Sequence, residues 1–230
     1  MRPTSAIESL RVQVRQIEGR RRRATTVLPF EIAAVDSRLP GGGLLVGALH
    51  EVAGGGNGAI DGAAAALFTA GIAARTRGKV LWCVTRPDLF APALSQAGLK
   101  SDSVIYLEAG DEKTVLACFE EGLRHGGLGA VVAEVARLPM TASWRLQLAS
   151  EGSGAIGIAL RRWRRQTEAT DFGQPTAATT RWRVSARLWC KCWRSAQENA
   201  REPDADHAPS TAFQISGAVL FLTRSLPRLN

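Results

Sequence analysis

VGALHEVAGGGNGAIDGAAAALFTAGIAA, residues 46–74, is the stretch on which the reading of the chain turns. Residues 46–52 form a short apolar run and read as a buried strand. Residues 54–62 contain five glycines, and from Ala63 onward the chain is rich in Ala and Leu and reads as a helix. Strand, glycine loop, helix is the layout of a turn that binds phosphate through backbone N–H groups at a helix N-terminus. A working loop of this kind ends in Gly-Lys-Ser/Thr, with the lysine on the phosphates and the hydroxyl on Mg²⁺. Here Gly62 is followed by Ala63 and Ala64, which can do neither. The stretch therefore reads as a nucleotide-binding fold without its nucleotide chemistry.

Working outward, apolar runs at 79–85, 103–108, 129–135 and 155–160 read as further strands, with helices at 88–97, 111–125 and 139–150 between them. Strands alternating with helices imply an α/β fold built on a mainly parallel sheet covered on both faces. Residues 181–193, RWRVSARLWCKCW, alternate with period two and read as a strand. Val184, Ala186, Leu188, Cys190 and Cys192 take one face. Arg183, Ser185, Arg187, Trp189, Lys191 and Trp193 take the other, which is basic and aromatic. A last strand at 214–223 pairs with it as an antiparallel hairpin, and the polar run 195–210 reads as loop. Upstream of the core, residues 4–23 read as an amphipathic helix. Ile7, Leu10, Val14 and Ile17 follow 3, 4, 3 spacing and make one apolar stripe, and the helix ends in Arg20–Arg23. The division of the chain is then an N-terminal helix at 1–26, a core at 27–194, and a polar loop with a terminal strand at 195–230.

The chain has 230 residues, 45% of them hydrophobic, enough for one domain with a substantial core. No stretch has the length and apolarity of a membrane span, and the N-terminus lacks the apolar centre of a signal peptide, so the expected location is cytoplasmic. With 29 Lys and Arg against 21 Asp and Glu the formal net charge is +8, and the clustering of the arginines favours a polyanionic partner. Three scattered histidines and a Cys190-x-Cys192 pair without a second ligand pair do not make a metal site. No cofactor and no catalytic residue is expected. Arg161, Arg162, Trp163, Arg164 and Arg165 form the densest basic and aromatic run, and with Arg181, Arg183 and Arg187 they are the candidate contacts for single-stranded DNA. Arginine binds phosphate there, and Trp163 offers a face on which an unpaired base stacks.

The order of these parts is similar to the RecA core: LPGGGL at 39–44, a strand ending in His50-Glu51-Val52, then the glycine loop and its helix. Ser185-Ala186-Arg187-Leu188 resembles the strand after the second DNA-binding loop of RecA. The run LPGGGL…HEVAG with Arg181-Trp182-Arg183-Val184 most resembles the ImuA family, RecA-like accessory proteins of damage-induced mutagenesis in bacteria. The resemblance covers residues 28–190. It implies that Gly54 matches the first glycine of the phosphate loop and Gly62 the last, separated by seven residues rather than four. It places Ala63 and Ala64 where Lys and Thr belong, and Glu134 near the position of the metal-binding aspartate. It places Thr85-Arg86-Pro87 where RecA has its catalytic glutamate. It also implies a non-enzymatic adaptor in SOS-type translesion synthesis. Its partners would be an ImuB-type Y-family polymerase homologue, a DnaE-type error-prone polymerase, DNA and RecA, with the stripe Ile7, Leu10, Val14, Ile17 available for protein contact. A divergent ATPase and a direct regulator of RecA filaments are the competing readings.

Overall fold

The computed structural model describes residues 26–55, 58–162, 172–188, 212–215 and 218–224. In chain order the elements are β1 (Val27–Leu28), α1 (Ala33–Asp36), a 3₁₀ turn (Pro40–Gly42), β2 (Leu44–Leu45), β3 (Leu49–Gly54), α2 (Gly58–Ala73), β4 (Lys79–Val84), α3 (Ala91–Gln96), a second 3₁₀ turn (Ser101–Ser103) and β5 (Val104–Glu108). They continue with α4 (Glu112–His125), β6 (Leu128–Val135), α5 (Met140–Ser153), β7 (Ile156–Arg161), β8 (Thr180–Leu188), β9 (Ala212–Ile215) and β10 (Ala218–Arg224). One eight-stranded sheet in the order β5-β4-β6-β7-β3-β8-β10-β9 carries the fold, and β1 pairs with β2 in a separate two-stranded ribbon. From β5 to β8 every pairing is parallel; β10 runs antiparallel to both β8 and β9. The α/β class, the parallel sheet and the antiparallel C-terminal strands are as expected. The single terminal strand expected at 214–223 is instead a hairpin, β9 and β10. The helix expected at 4–23, residues 189–193 of the basic strand and the loop at 195–210 lie outside the described residues.

Strand alternation assigns the two faces. Val52, Trp82, Val132, Ile158 and Val184 point to the side covered by α2 and α3. Leu49, Cys83, Val131, Ala133 and Ala159 point to the side covered by α4 and α5. Helix α2 is Ala-rich because it is buried nearly all round: Ala64, Ala65, Phe68, Ala70 and Ile72 all pack in the core, and small side chains let its axis come close to the sheet. Phe68 stacks on Phe30 with centroids 5.8 Å apart, and Trp182 closes the trio at 5.5 and 5.6 Å. Helix α4 starts where Asp111 accepts from the N–H groups of Lys113 and Thr114 and ends at left-handed Gly126. No helix among the described residues is long and apolar enough to cross a membrane.

The run LPGGGL has a steric reason for each glycine. Gly41 and Gly42 sit at φ 73° and 79°, where a side chain is strained. Gly43 is extended, but a Cβ there would lie 2.6 Å from the Leu28 carbonyl oxygen. The three turn the chain so that β2 can pair with β1, and this ribbon leads directly into β3.

His50 lies inside β3, fully buried. Its Nε2 is 2.9 Å from the Leu45 carbonyl, which can only accept, so Nε2 carries the proton and Nδ1 accepts from the Thr180 hydroxyl at 2.8 Å. Trp182 Nε1–H donates to the same hydroxyl oxygen at 2.7 Å. This chain joins β3, β8 and the ribbon with a neutral imidazole. Burial lowers the His50 pKa from 6.5 to about 4, against the opposing backbone hydrogen bond to Leu45. The folded chain therefore binds fewer protons than the unfolded chain between those values. The stabilisation is complete above pH 6.5 and is lost as pH falls toward 4, ~3 kcal/mol in all. Urea unfolding at pH 7.5, 5.5 and 4.5 should show this decline in the wild type. His50→Gln, which titrates no imidazole, should be less stable at pH 7.5 but should lose less stability on acidification.

Candidate functional site

Two polar clusters gather at the C-terminal ends of the parallel strands, the edge where open α/β sheets bind ligands, and a third lies deeper in the sheet. The first is the turn between β3 and α2. The helix starts at Gly58 and not after Gly62, so the connection is only residues 55–57. Gly62, Ala63 and Ala64 are therefore helical, and Ala64 is a core residue. The expected long loop is corrected to one of ordinary spacing: counting four residues on from Gly54, Ala59, Ile60 and Asp61 stand where Gly, Lys and Ser/Thr would. Ile60 is an exposed apolar side chain. Asp61 is buried, and its Oδ1 accepts from the Ala186 N–H at 2.9 Å. Gly55 N–H donates to the Val184 carbonyl at 2.8 Å. A Cβ at Gly55 would collide with Ser185 Oγ and lie 2.5 Å from Asp61 Oδ2. Strand β8 thus closes over the turn, and a carboxylate occupies the positive end of α2. A phosphate at ~4 Å from that carboxylate would meet a repulsion on the order of 4 kcal/mol at an effective dielectric constant of 20. The residues present do not fit a nucleotide bound in the usual way.

The second cluster lies beside it, on the same side of the sheet. Glu134, at the end of β6, is buried and accepts from Trp82 Nε1 at 3.0 Å and from Arg162 Nη1 at 2.6 Å. Arg162 also binds Asp88, at 2.8 and 3.2 Å. Burial pushes the Glu134 carboxyl up, and the Arg162 guanidinium pulls the other way without cancelling it. For Arg162 burial is outweighed by Glu134 and Asp88, which hold it more firmly protonated. A guanidinium thus sits between Asp88 and Glu134, the residue that the resemblance places near the metal-binding aspartate. No group of three or more His, Cys, Asp or Glu with metal-site geometry occurs among the described residues.

The third cluster is on the opposite face, under α5. Glu51 of β3 is fully buried; Oε1 accepts from Arg161 at 2.8 Å, and Oε2 accepts from Arg181 Nε at 2.6 Å and the Thr176 hydroxyl at 3.0 Å. Arg161 also donates to the Ala136 carbonyl at 2.7 Å, and Arg181 to the Phe172 carbonyl. The guanidinium of Arg181 lies 4.4 Å from the Phe172 ring centroid, that of Arg183 5.2 Å.

The expected DNA contacts separate accordingly. Arg161 and Arg181 are buried and bound to Glu51, so they leave the set of surface contacts; a carboxylate in the adjacent strand draws both inward. Arg162 is half-buried and held by Asp88 and Glu134. Arg183 is exposed. Arg187 lies in β8 opposite Val219 of β10, and Trp163, Arg164 and Arg165 lie outside the described residues, as do Ile7, Leu10, Val14 and Ile17. Sequence reasoning missed Glu51 and Asp61. The signal was present: a charged residue inside an apolar strand or helix start needs a buried partner.

No protein-family model matches the chain. It is 38% identical over 178 residues to Protein ImuA of Caulobacter vibrioides, in strain NA1000 / CB15N and equally in strain ATCC 19089 / CIP 103742 / CB 15. The match covers 74% of this chain and 72% of the relative. Among solved structures, SulA from Pseudomonas aeruginosa superimposes with a TM-score of 0.42 at 23% identity, over 50% of this chain and 98% of that one. The RadB recombinase superimposes with a TM-score of 0.47 at 14% identity, over 66% of this chain and 80% of that one.

Removing Glu51 leaves two guanidiniums buried without their carboxylate, a loss of about 3–5 kcal/mol. Glu51→Leu should lower the urea midpoint by more than Arg162→Leu, because it strands two buried guanidiniums, whereas Arg162 is itself half-buried and strands one buried carboxylate, Glu134, beside exposed Asp88. Equal small losses in both would contradict the buried-cluster account.

Proposed function

The chain belongs to the ImuA family, and from that premise we propose that it is a non-catalytic, RecA-like adaptor in SOS-induced, error-prone translesion DNA synthesis. In this role it contacts single-stranded DNA or RecA and joins the mutagenic polymerase complex, an ImuB-type Y-family polymerase homologue with a DnaE-type polymerase. The observation that carries the non-catalytic part is Asp61. Its carboxylate sits in the β3–α2 turn, bonded to β8, where a nucleotide would need its phosphates. The guanidinium of Arg162 between Asp88 and Glu134 supports the same reading, because it supplies from within the charge that Mg²⁺ would bring. Damage-associated function rests on family membership. The DNA part rests on the net charge of +8, on exposed Arg183, and on the arginines and Trp163 that follow β7.

Two other readings make different demands. An ATPase requires turnover that Glu134→Gln abolishes. A direct inhibitor of RecA filaments requires that the chain depress strand exchange by RecA without binding DNA itself.

Fluorescence anisotropy with single-stranded DNA, with and without ATP and over a salt series, separates them. The adaptor reading expects binding that ignores ATP and weakens steeply with salt. Arg183→Ala should weaken it and reduce the salt slope by about one at unchanged stability. Binding that requires ATP would overturn the non-catalytic assignment. Absence of binding in both conditions would overturn the DNA part and leave the basic surface to protein partners.

A further inference from the structure

Helix α5 carries apolar side chains on two sides. Leu146 and Ala149 pack in the core. Met140, Trp144 and Leu148 face the other way, at 39, 55 and 61% exposure. Residues four apart lie on one side of a helix, so these three form an apolar stripe that nothing among the described residues covers. Single exposed apolar residues are ordinary, but a contiguous row with a tryptophan at its centre has the composition of a contact surface.

The charges around the stripe point to what fits it. No acidic residue stands in the first turn of α5, no basic one in its last, and no side chain caps its N-terminus. The last turn instead holds exposed Glu151, at the end where backbone carbonyls already gather negative charge. Among the described residues this carboxylate accepts only from the Gln147 amide, at 2.8 Å. Arg137 is exposed in the turn that enters the helix. Its backbone N–H is bonded to Glu112, and its guanidinium has no partner among the described residues. Arg145, also on the outer side, is already paired with Glu120. The stripe is thus bounded by an unneutralised positive charge at its start and an unneutralised negative charge at its finish.

We propose that this face binds a second copy of the chain, α5 against α5, antiparallel about a twofold axis at Trp144. The pattern is symmetric about that residue: Met140 and Leu148 are each four residues away, and Arg137 and Glu151 each seven. Antiparallel pairing sets Trp144 on the partner's Trp144, Met140 on the partner's Leu148 and Arg137 beside the partner's Glu151, with the last two contacts made twice. Glu151 of each copy also meets the uncapped N-terminus of the other α5, where a negative charge is favoured by the helix dipole. A twofold interface needs a surface complementary to itself. A helix with opposite charges at its two ends meets that condition only when antiparallel, since the parallel arrangement sets Arg137 on Arg137 and Glu151 on Glu151. An unrelated helix would need the same apolar row and the same two charges at matched spacing, and α5 has both.

Sedimentation velocity of the full chain over a dilution series tests this without reference to DNA. The wild type should pass from monomer to dimer as concentration rises. Leu148→Glu, at an exposed position, should weaken the dimer about tenfold or more, with an unchanged far-UV circular dichroism spectrum as the control for folding. Arg137→Glu and Glu151→Arg should each weaken it about threefold or more, because each brings like charges together. The double variant should regain the wild-type dimer, because the exchanged charges pair again. A monomer at every concentration would overturn the proposal and assign the stripe to another part of the chain or to a different protein. A dimer indifferent to Leu148→Glu would overturn it in favour of another face. Weakening by either charge variant that the double variant does not recover would overturn the antiparallel pairing.

Discussion

The buried carboxylate of Glu51 is the point on which the sheet's central strands depend. It belongs to β3, and its two oxygens hold Arg161 of β7 on one side and Arg181 of β8 on the other. Those are the strands that flank β3, and they are also the two ends of the connection that leaves β7 and returns at β8. Desolvating three charges is costly, and an apolar replacement of the whole cluster would be no less stable by area alone. Its effect is directional: only one register of β7 and β8 against β3 lets both guanidiniums reach one carboxylate. Thr176 and the Phe172 carbonyl add further bonds to the same cluster, so the returning segment is fixed before β8 begins. The family-like Arg-Trp-Arg-Val run serves this purpose through Arg181 and Trp182, whose side chains enter opposite faces of the sheet, and only Arg183 of the described arginines there is left facing out.

The same internal satisfaction marks the other two clusters. In the β3–α2 turn the positive end of α2 meets Asp61, and the Gly55 N–H meets a β8 carbonyl. At the end of β6, Glu134 meets Trp82 and Arg162. A nucleotide and its cation would bring negative phosphates to the first place and a positive ion to the second. Here a carboxylate and a guanidinium are already present, with signs matching the absent partners. Among the described residues of this edge, the charges of Asp61, Glu134 and Arg162 are met from within the chain.

Much of the architecture was legible in the sequence because long apolar runs and glycine punctuation dominate it. The boundaries of β4, β5, α4, β6 and β7 follow directly from those patterns, within a residue or two. The start of α2 did not, since glycines at 58 and 62 disguise a helix whose first turn is held by contacts to β8, 120 or more residues away in sequence. The arginines misled for a related reason. Arg161 and Arg181 look like a solvated basic run, and nothing local reveals that β3 places a carboxylate between them; that information lies in strand order, which periodicity does not encode.

Helix α5 shows the same limit from the other side. Read alone, Trp144 and Leu148 belong to the core and Ser143 and Gln147 to solvent. Two demands reverse this. The first turn of β3 and the segment entering β8 leave the N–H groups of Leu49 and Ala177 without sheet partners, and a buried N–H left unpaired costs about as much as a buried methyl group gains. The Ser143 hydroxyl and the Gln147 side-chain oxygen meet that need, at 2.9 and 2.8 Å, so both turn inward beside Leu146 and Ala149 while Trp144 and Leu148 face out. An exposed Trp-Leu pair is then not a flaw of packing but the consequence of satisfying the backbone. Leu146 and Ala149 keep the helix in the core, and Met140, Trp144 and Leu148 form its outward stripe.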